Sequence, residues 1–207
     1  MAAAFETPPL GEYPVIPLVR EGAMAHSKPF VAKPDLQKPL GFPGELAPGW
    51  EKVAVMKLGE LVSQSRALQV FLDACVKCGA CTDKCHYYLG TAAPQNMPLA
   101  RQDLLRSVYR RYYTLGGKLF PKLVGARDMT KEVLDDWYSY FHQCSQCRRC
   151  SVFCPYGIDT AEISMAARDI MDSVGVGQKY SNEIIAKVHK IGNNLGLPEP
   201  ALRNTLD

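Results

Sequence analysis

The stretch CVKCGACTDKC, residues 75–85, places four thiols in eleven positions, at Cys75, Cys78, Cys81 and Cys85. The same C-x2-C-x2-C-x3-C spacing returns at 144–154 as CSQCRRCSVFC, with Cys144, Cys147, Cys150 and Cys154, and Pro155 follows. Each cysteine of the second run lies 69 positions after its counterpart, and the two runs use all eight cysteines of the chain. Disulfides fit this crowding poorly. They belong mainly to small exported domains, thiols two residues apart rarely have the geometry to pair, and the start MAAAFETPPLGEYP lacks a secretory signal. Structural zinc commonly takes two C-x2-C pairs a dozen or more residues apart, a looser pattern than this. A [4Fe–4S] cube presents several irons, each wanting one thiolate, so three cysteines spaced by two let a short loop wrap three corners. In the run that ends C-x3-C-P the fourth cysteine ligates the other of two clusters. The spacing therefore predicts two [4Fe–4S] clusters, one on Cys75, Cys78, Cys81 and Cys154, the other on Cys144, Cys147, Cys150 and Cys85.

The runs differ in charge. Gly79 in the first stands where Arg148 stands in the second, and Arg149 follows it. Positive charge beside a cluster favours its reduced form, so the second-run cluster is expected to have the higher potential. His86 and His142 flank the runs. With eight thiols for eight sites, packing or an N–H···S contact is expected of them rather than ligation.

Around the runs the chain reads as helical. Residues 1–56 are rich in proline and glycine, with apolar residues scattered without period, and are expected to form an extended arm. From Val55, the segment MKLGELVSQSRALQVFLDAC carries one apolar stripe into Cys75. MPLARQDLLRSVYRRYYTLGG predicts a second helix, with Pro98 in its first turn and Gly116-Gly117 as its stop. Its inward face would be Leu104, Leu105, Val108, Tyr109 and Tyr112, leaving Arg101, Arg106, Arg110 and Arg111 outward. A third helix, capped by Thr130, leads into Cys144, and Asp159 and Glu162 fit the N-cap and N3 of a fourth. A fifth runs from Ser181 to Ile191 and ends at Gly192. No segment alternates as a strand. The expected organisation is an all-α domain over 57–192, preceded by the arm and followed by a tail over 193–207.

The same residues exclude several functions. The net charge of +3 is far from a nucleic-acid-binding signature. No apolar run reaches the roughly 18 residues of a membrane span, which points to a cytoplasmic protein. There is no Gly-rich phosphate loop, no flavin or nicotinamide fingerprint and no paired-carboxylate motif. With every thiol assigned, none is left as a nucleophile, and the chain reads as a non-catalytic electron carrier.

From about Phe71 to Ala167 the sequence resembles the α-helical ferredoxin module of the heterodisulfide reductase C-type family, in its sulfur-metabolism versions. CVKCGACTDKCHYYLG, NMPLARQDLLRSVYRRYYT and FHQCSQCRRCSVFCPYGIDTAEISMAARDIM carry the likeness. The resemblance implies an α-helical ferredoxin fold with two [4Fe–4S] clusters. It also implies an electron-relay role in a complex of sulfur-compound oxidation, between a flavin-containing iron–sulfur subunit and a CCG-domain subunit. An alternative is a truncated or split iron–sulfur subunit of a sulfite-reductase-associated membrane complex, or of a fumarate/succinate or glycolate type dehydrogenase. The CCG motif that a fused relative would carry is absent from these residues.

Overall fold

The computed structural model describes residues 45–206; residues 1–44, most of the expected arm, lie outside the described residues. Among the described residues there are helices and no strand. In chain order they are α1 (Trp50–Gln64), α2 (Arg66–Ala74), α3 (His86–Thr91), α4 (Pro98–Tyr113), α5 (Leu115–Leu119), α6 (Lys131–His142), α7 (Arg149–Val152), α8 (Thr160–Ser173), α9 (Lys179–Ile191) and α10 (Glu199–Leu206). Single 3-10 turns cover Thr82–Lys84 and Pro94–Asn96.

The core forms where α8 packs on α1, α2, α4 and α6. α8 offers Ile163, Ile170 and Met171 to the interior, all fully buried, with Ala161, Ser164 and Ala167 between them. Small residues at that spacing let neighbouring helices approach closely. Trp137 and Phe141 of α6 meet edge to face, ring centroids 5.7 Å apart, and both are fully buried. Leu58, Leu72, Leu105 and Leu134 complete the cluster. The expected inward face of α4 is seen: Leu105, Val108 and Tyr109 are buried, with Leu104 and Tyr112 packed against the core.

The helix boundaries depart from the sequence reading at three places. α1 begins at Trp50 rather than near Val55, after Gly49 at φ 67°. Leu46 and Trp50 pack on the core, and the Ala47 N–H donates to the Val174 carbonyl at 3.2 Å. The stripe from Leu58 to Leu72 is broken at Ser65, which takes extended dihedrals and caps α2 by accepting the Leu68 N–H at 3.2 Å. Periodicity hides this break because both helices face the same core. α4 stops at Thr114, not at the glycine pair. The Thr114 hydroxyl accepts the Gly117 N–H at 3.1 Å and starts α5, which contains both glycines.

Two of the four arginines expected to face outward on α4 are interior residues. Arg101 is 2% exposed and Arg106 is 6% exposed. Arg101 sits four residues before Leu105 and seven before Val108, on their stripe, so the helical phase itself turns it inward. Arg110 and Arg111 are half-buried, donating to the Val124 carbonyl at 2.9 Å and pairing with Asp128 at 2.6 Å.

Gly117 has a packing reason. A Cβ there would overlap the backbone carbonyl of Arg110. Glycine to alanine ordinarily stabilises a helix by roughly 0.5–1 kcal/mol. Here Gly117→Ala should instead destabilise by about 1–3 kcal/mol, the usual range for overpacking, read as a lowered unfolding midpoint in denaturant.

Candidate iron–sulfur site

Each cysteine run leaves the C-terminus of a helix, the first from α2 and the second from α6, and the two then repeat one backbone path. Lys77 and Gln146, the residues before each second cysteine, both have φ 58°. The residues after it, Gly79 and Arg148, have φ 81° and 60°. Left-handed residues at this spacing turn backbone N–H groups toward the inside of a loop. One such donor is visible: the Gln146 N–H points to Cys144 Sγ at 3.4 Å. Lysine, glutamine and arginine are strained in this conformation, so the path is imposed by what surrounds it. The Thr82–Lys84 turn and α7 then carry each run to its fourth cysteine. There the residues preceding the fourth cysteines meet, Lys84 Nζ lying 5.3 Å from the Phe153 ring centroid.

All eight thiols are free of disulfides. They divide between two cavities. One is lined by Cys75, Cys78, Cys81 and Cys154. The other is lined by Cys85, Cys144, Cys147 and Cys150. Each cavity thus draws three cysteines from one run and the last from the other. α4 and α8 lie between them. Leu99, Gln102 and Thr160 face the first cavity, while Pro98, Arg101 and Ala161 face the second. Cys78 and Cys147 are exposed, so each site has a wet edge, and Cys85 at the second site is buried.

The dry side shows in the thiols. Burial pushes Cys81 up to about 11, and neighbouring Cys150 adds to the rise. Burial also raises Cys150, against hydrogen bonds from Ser151 and Thr160. Such thiols do not ionise alone at neutral pH. A metal centre that supplies positive charge deprotonates them on binding.

The helix ends that deliver the runs are held by polar side chains from α4 and α8. The last carbonyls of a helix lack intrahelical partners. At α2, Gln102 donates to the Phe71 carbonyl at 2.5 Å and Arg106 donates to Cys75 at 2.6 Å and Asp73 at 3.5 Å. At α6, Arg101 donates to the Tyr140 carbonyl at 2.7 Å, and Arg168 donates to Phe141 at 2.6 Å and Cys144 at 2.5 Å. The first cysteine of each run therefore hangs from a guanidinium. Burial lowers the pKa of Arg106 and of Arg168, and the sulfurs of Cys75 and Cys144 respectively oppose it.

Asp159 ties the second run to α8. Its Oδ1 accepts from the Ala161 N–H at 2.9 Å and the Ser151 hydroxyl at 2.7 Å, and Oδ2 pairs with Arg148 at 3.2 Å. Arg148 is 59% exposed in its side chain, so its charge is both solvated and paired. His86 lines the second cavity, its Nδ1 3.8 Å from Cys147 Sγ. His142 lies away from both cavities, edge-on to Tyr138 at 4.9 Å. Burial, and then Arg168, bring its pKa down to about 4, so at neutral pH it is an uncharged packing residue. Of the aromatic residues near the runs, Tyr87 and Tyr156 line cavities, whereas Trp137, Tyr138 and Phe141 are core.

Known proteins similar to this chain are iron–sulfur proteins by name. Residues 71–158 match the family model of the 4Fe–4S dicluster domain. That match spans less than half of the chain, and it includes all eight cysteines. The chain is 50% identical over 153 residues to the Hdr-like menaquinol oxidoreductase iron–sulfur subunit of Archaeoglobus profundus. It is 48% identical over 153 residues to the Hdr-like menaquinol oxidoreductase iron–sulfur subunit 2 of Archaeoglobus fulgidus. Each match covers 74% of this chain and 28% of the relative, so the chain spans little more than a quarter of those proteins. A third similarity, 32% over 106 residues, is to the D-type polypeptide of the dihydromethanophenazine:CoB–CoM heterodisulfide reductase of Methanosarcina barkeri, covering 51% of this chain and 25% of that one. No solved structure matches. The module is therefore similar to heterodisulfide-reductase-like iron–sulfur subunits, a broader group than the sulfur-oxidising C-type proteins expected from sequence.

Sequence reasoning missed Lys77, Gln146 and Arg148 as left-handed positions, and the clamps formed by Arg106, Gln102 and Arg168. The left-handed positions had one signal, Gly79, and the repeat of 69 carries it to Arg148. Replacing Gln146 tests the loop. Gln146→Gly should stabilise by about 1 kcal/mol by relieving the left-handed strain. Gln146→Val, β-branched at positive φ, should cost about 1–3 kcal/mol. Thermal unfolding of the two variants beside the parent reads both signs.

Proposed function

We propose that this chain is the electron-relay part of a heterodisulfide-reductase-like oxidoreductase and carries two [4Fe–4S] clusters. Cys75, Cys78, Cys81 and Cys154 hold the first; Cys144, Cys147, Cys150 and Cys85 hold the second. The observation that supports this most is the exchange of the fourth cysteine between two four-cysteine cavities. The donor set fits the group. Each cavity presents four thiols, and among the described residues no three His, Cys, Asp or Glu side chains converge on a point that could hold a single ion. A cube asks for sulfurs spread around a volume, each facing its own iron, whereas zinc asks for convergence.

When bound, the clusters supply one-electron storage and transfer. The chain supplies the rest. The left-handed second run aims the Gln146 N–H at Cys144 Sγ, the arginine clamps fix the helix ends from which the runs leave, and α4 and α8 keep the two sites adjacent but separate. Electrons pass from one cavity to the other across the shared runs. The wet edges at Cys78 and Cys147 are where they enter and leave.

The relatives at 48–50% identity are named for menaquinol oxidation, which supports a quinol-linked electron donor over the sulfur-compound oxidation expected from sequence. The electrons leave to a CCG-bearing domain in which disulfide chemistry occurs, and a flavin-containing iron–sulfur subunit is a second partner. In the described residues no helix is long and apolar enough to cross a membrane, and the reading assigns quinol binding to a partner polypeptide. A menaquinol analogue should reduce the clusters of the native complex but not those of this chain alone. Failure of the complex to accept quinol electrons while accepting them from a sulfane or thiol donor reverses the choice of donor.

Anaerobic preparations of the chain should contain about eight iron and eight sulfide per polypeptide, as two cubes require. Crossed ligation makes a sharper prediction. Cys75→Ser combined with Cys154→Ser should remove no more iron than Cys75→Ser alone, because both act on one cluster. Cys144→Ser combined with Cys154→Ser should remove nearly all of it. The opposite pattern means that each run binds its own cluster.

A further inference from the structure

The charged side chains around the two cavities are not equivalent. At the first, Lys77 is half-exposed and pairs with Asp103 at 2.7 Å. At the second, Arg148 is likewise exposed and pairs with Asp159. Exposed, paired charges are screened by solvent and largely cancel. Arg101 is different. It lines the second cavity, is 2% exposed, and forms no ion pair with any carboxylate among the described residues. Its three partners are neutral oxygens: the Tyr140 carbonyl, the Asn96 carbonyl at 3.3 Å and Asn96 Oδ1 at 3.5 Å. Its neighbour Gln102, uncharged, faces the first cavity. Behind the first cysteines the asymmetry repeats. Arg106 lies near Arg110 but also near the carboxylates of Asp73 and Asp103, whereas Arg168 has, among the described residues, only Arg101 for its charged side-chain neighbour besides Cys144.

A buried guanidinium that is hydrogen-bonded but not neutralised is costly unless a counter-charge is near. Here the facing cavity offers four cysteine sulfurs, which lose their protons when a metal centre binds, and a cluster held by thiolates is anionic. We propose that Arg101 is the buried counter-cation of the second cavity, and that it makes the cluster held there the more readily reduced of the two. This rests on the reading that both cavities hold cubanes. The step is a one-electron transfer: the first cluster is oxidised by one electron as the second is reduced by one, with no bond formed or broken. The electron added to the second cluster meets a fixed, dry positive charge, whose field is much stronger than that of a solvated one. The charge difference noticed in the sequence at Arg148 and Arg149 is therefore exerted from another residue, 47 positions upstream of Arg148. The electron rests at the second cavity, and transfer through the chain runs from the Cys75 side to the Cys144 side.

The test is a potentiometric titration of the full chain, reconstituted anaerobically and followed by electron paramagnetic resonance, with iron and sulfide counted in every sample. Wild-type protein should show two midpoints. Arg101→Gln should lower the higher one by about tenfold in the reduced-to-oxidised ratio, ~59 mV for one electron, and leave the lower one in place. Arg101→Lys, which keeps the charge, should retain both. A purely structural role would lower stability in either variant without this ordering. Gln102→Lys places a cation beside the first cavity and should raise the lower midpoint, narrowing the gap; it decides the matter if neither Arg101 variant takes up two clusters. The proposal is overturned if cluster-loaded Arg101→Gln leaves both midpoints unmoved or moves them equally, or if Gln102→Lys leaves the gap unchanged. Wild-type protein without iron and sulfide would instead reject the cluster reading itself.

Discussion

Three cysteines from one run and one from the other bound each cavity, and the rest of the structure is arranged around that exchange. Neither cavity can be built by one run alone. The 69-residue offset between the runs must be closed in space, and the helices between them do the closing. α3 leaves the first run; α6 returns to deliver the second; α4 and α8, packed on each other, each give a side chain to both cavities. The contact of Lys84 with Phe153 marks where the two runs cross. Metal binding at such a site is coupled to folding, because ligands far apart in sequence converge only when the helices have packed.

The polar interior follows from the same geometry. Bringing both runs inside points two helix C-termini, those of α2 and α6, into the protein, where their last carbonyls have no water to bond. Arg101, Gln102, Arg106 and Arg168 meet them. Buried polar groups demand partners, so these side chains are as much a part of the core as Leu105 or Trp137. The three arginines also bring positive charge beside Cys75, Cys144 and the second cavity. One set of residues thus caps the helices and sets the electrostatic surroundings of the sulfurs.

The module therefore behaves as a frame with near-twofold repetition but unequal content. The backbone repeats at Lys77 and Gln146 and at Gly79 and Arg148. The side chains facing the cavities do not repeat: Gln102 on one side is answered by Arg101 on the other. Equal frames make two similar sites, and on the proposal above unequal charges let the sites differ in affinity for an electron. A relay needs both properties, since transfer requires proximity and direction requires a difference.

Much of this was legible in the residues. The spacing of the eight cysteines, the absence of strand alternation, the caps at Thr130, Asp159 and Gly192, and the inward stripe of Leu105, Val108 and Tyr109 all depend on local periodicity or local hydrogen bonding, which sequence records directly. The break at Ser65, the role of Gly117 beneath the Arg110 carbonyl and the burial of Arg101 and Arg106 were not legible in that way. Each depends on what a neighbouring element presents, and a charged side chain reads as solvent-facing until its partner carbonyls are known. The sequence by itself determined which sulfurs are on offer to a cluster and that helices carry them. Only the tertiary structure decided how those atoms are grouped around two cavities and which cavity the buried charge faces, because burial and field depend on distances between residues that the chain order leaves free.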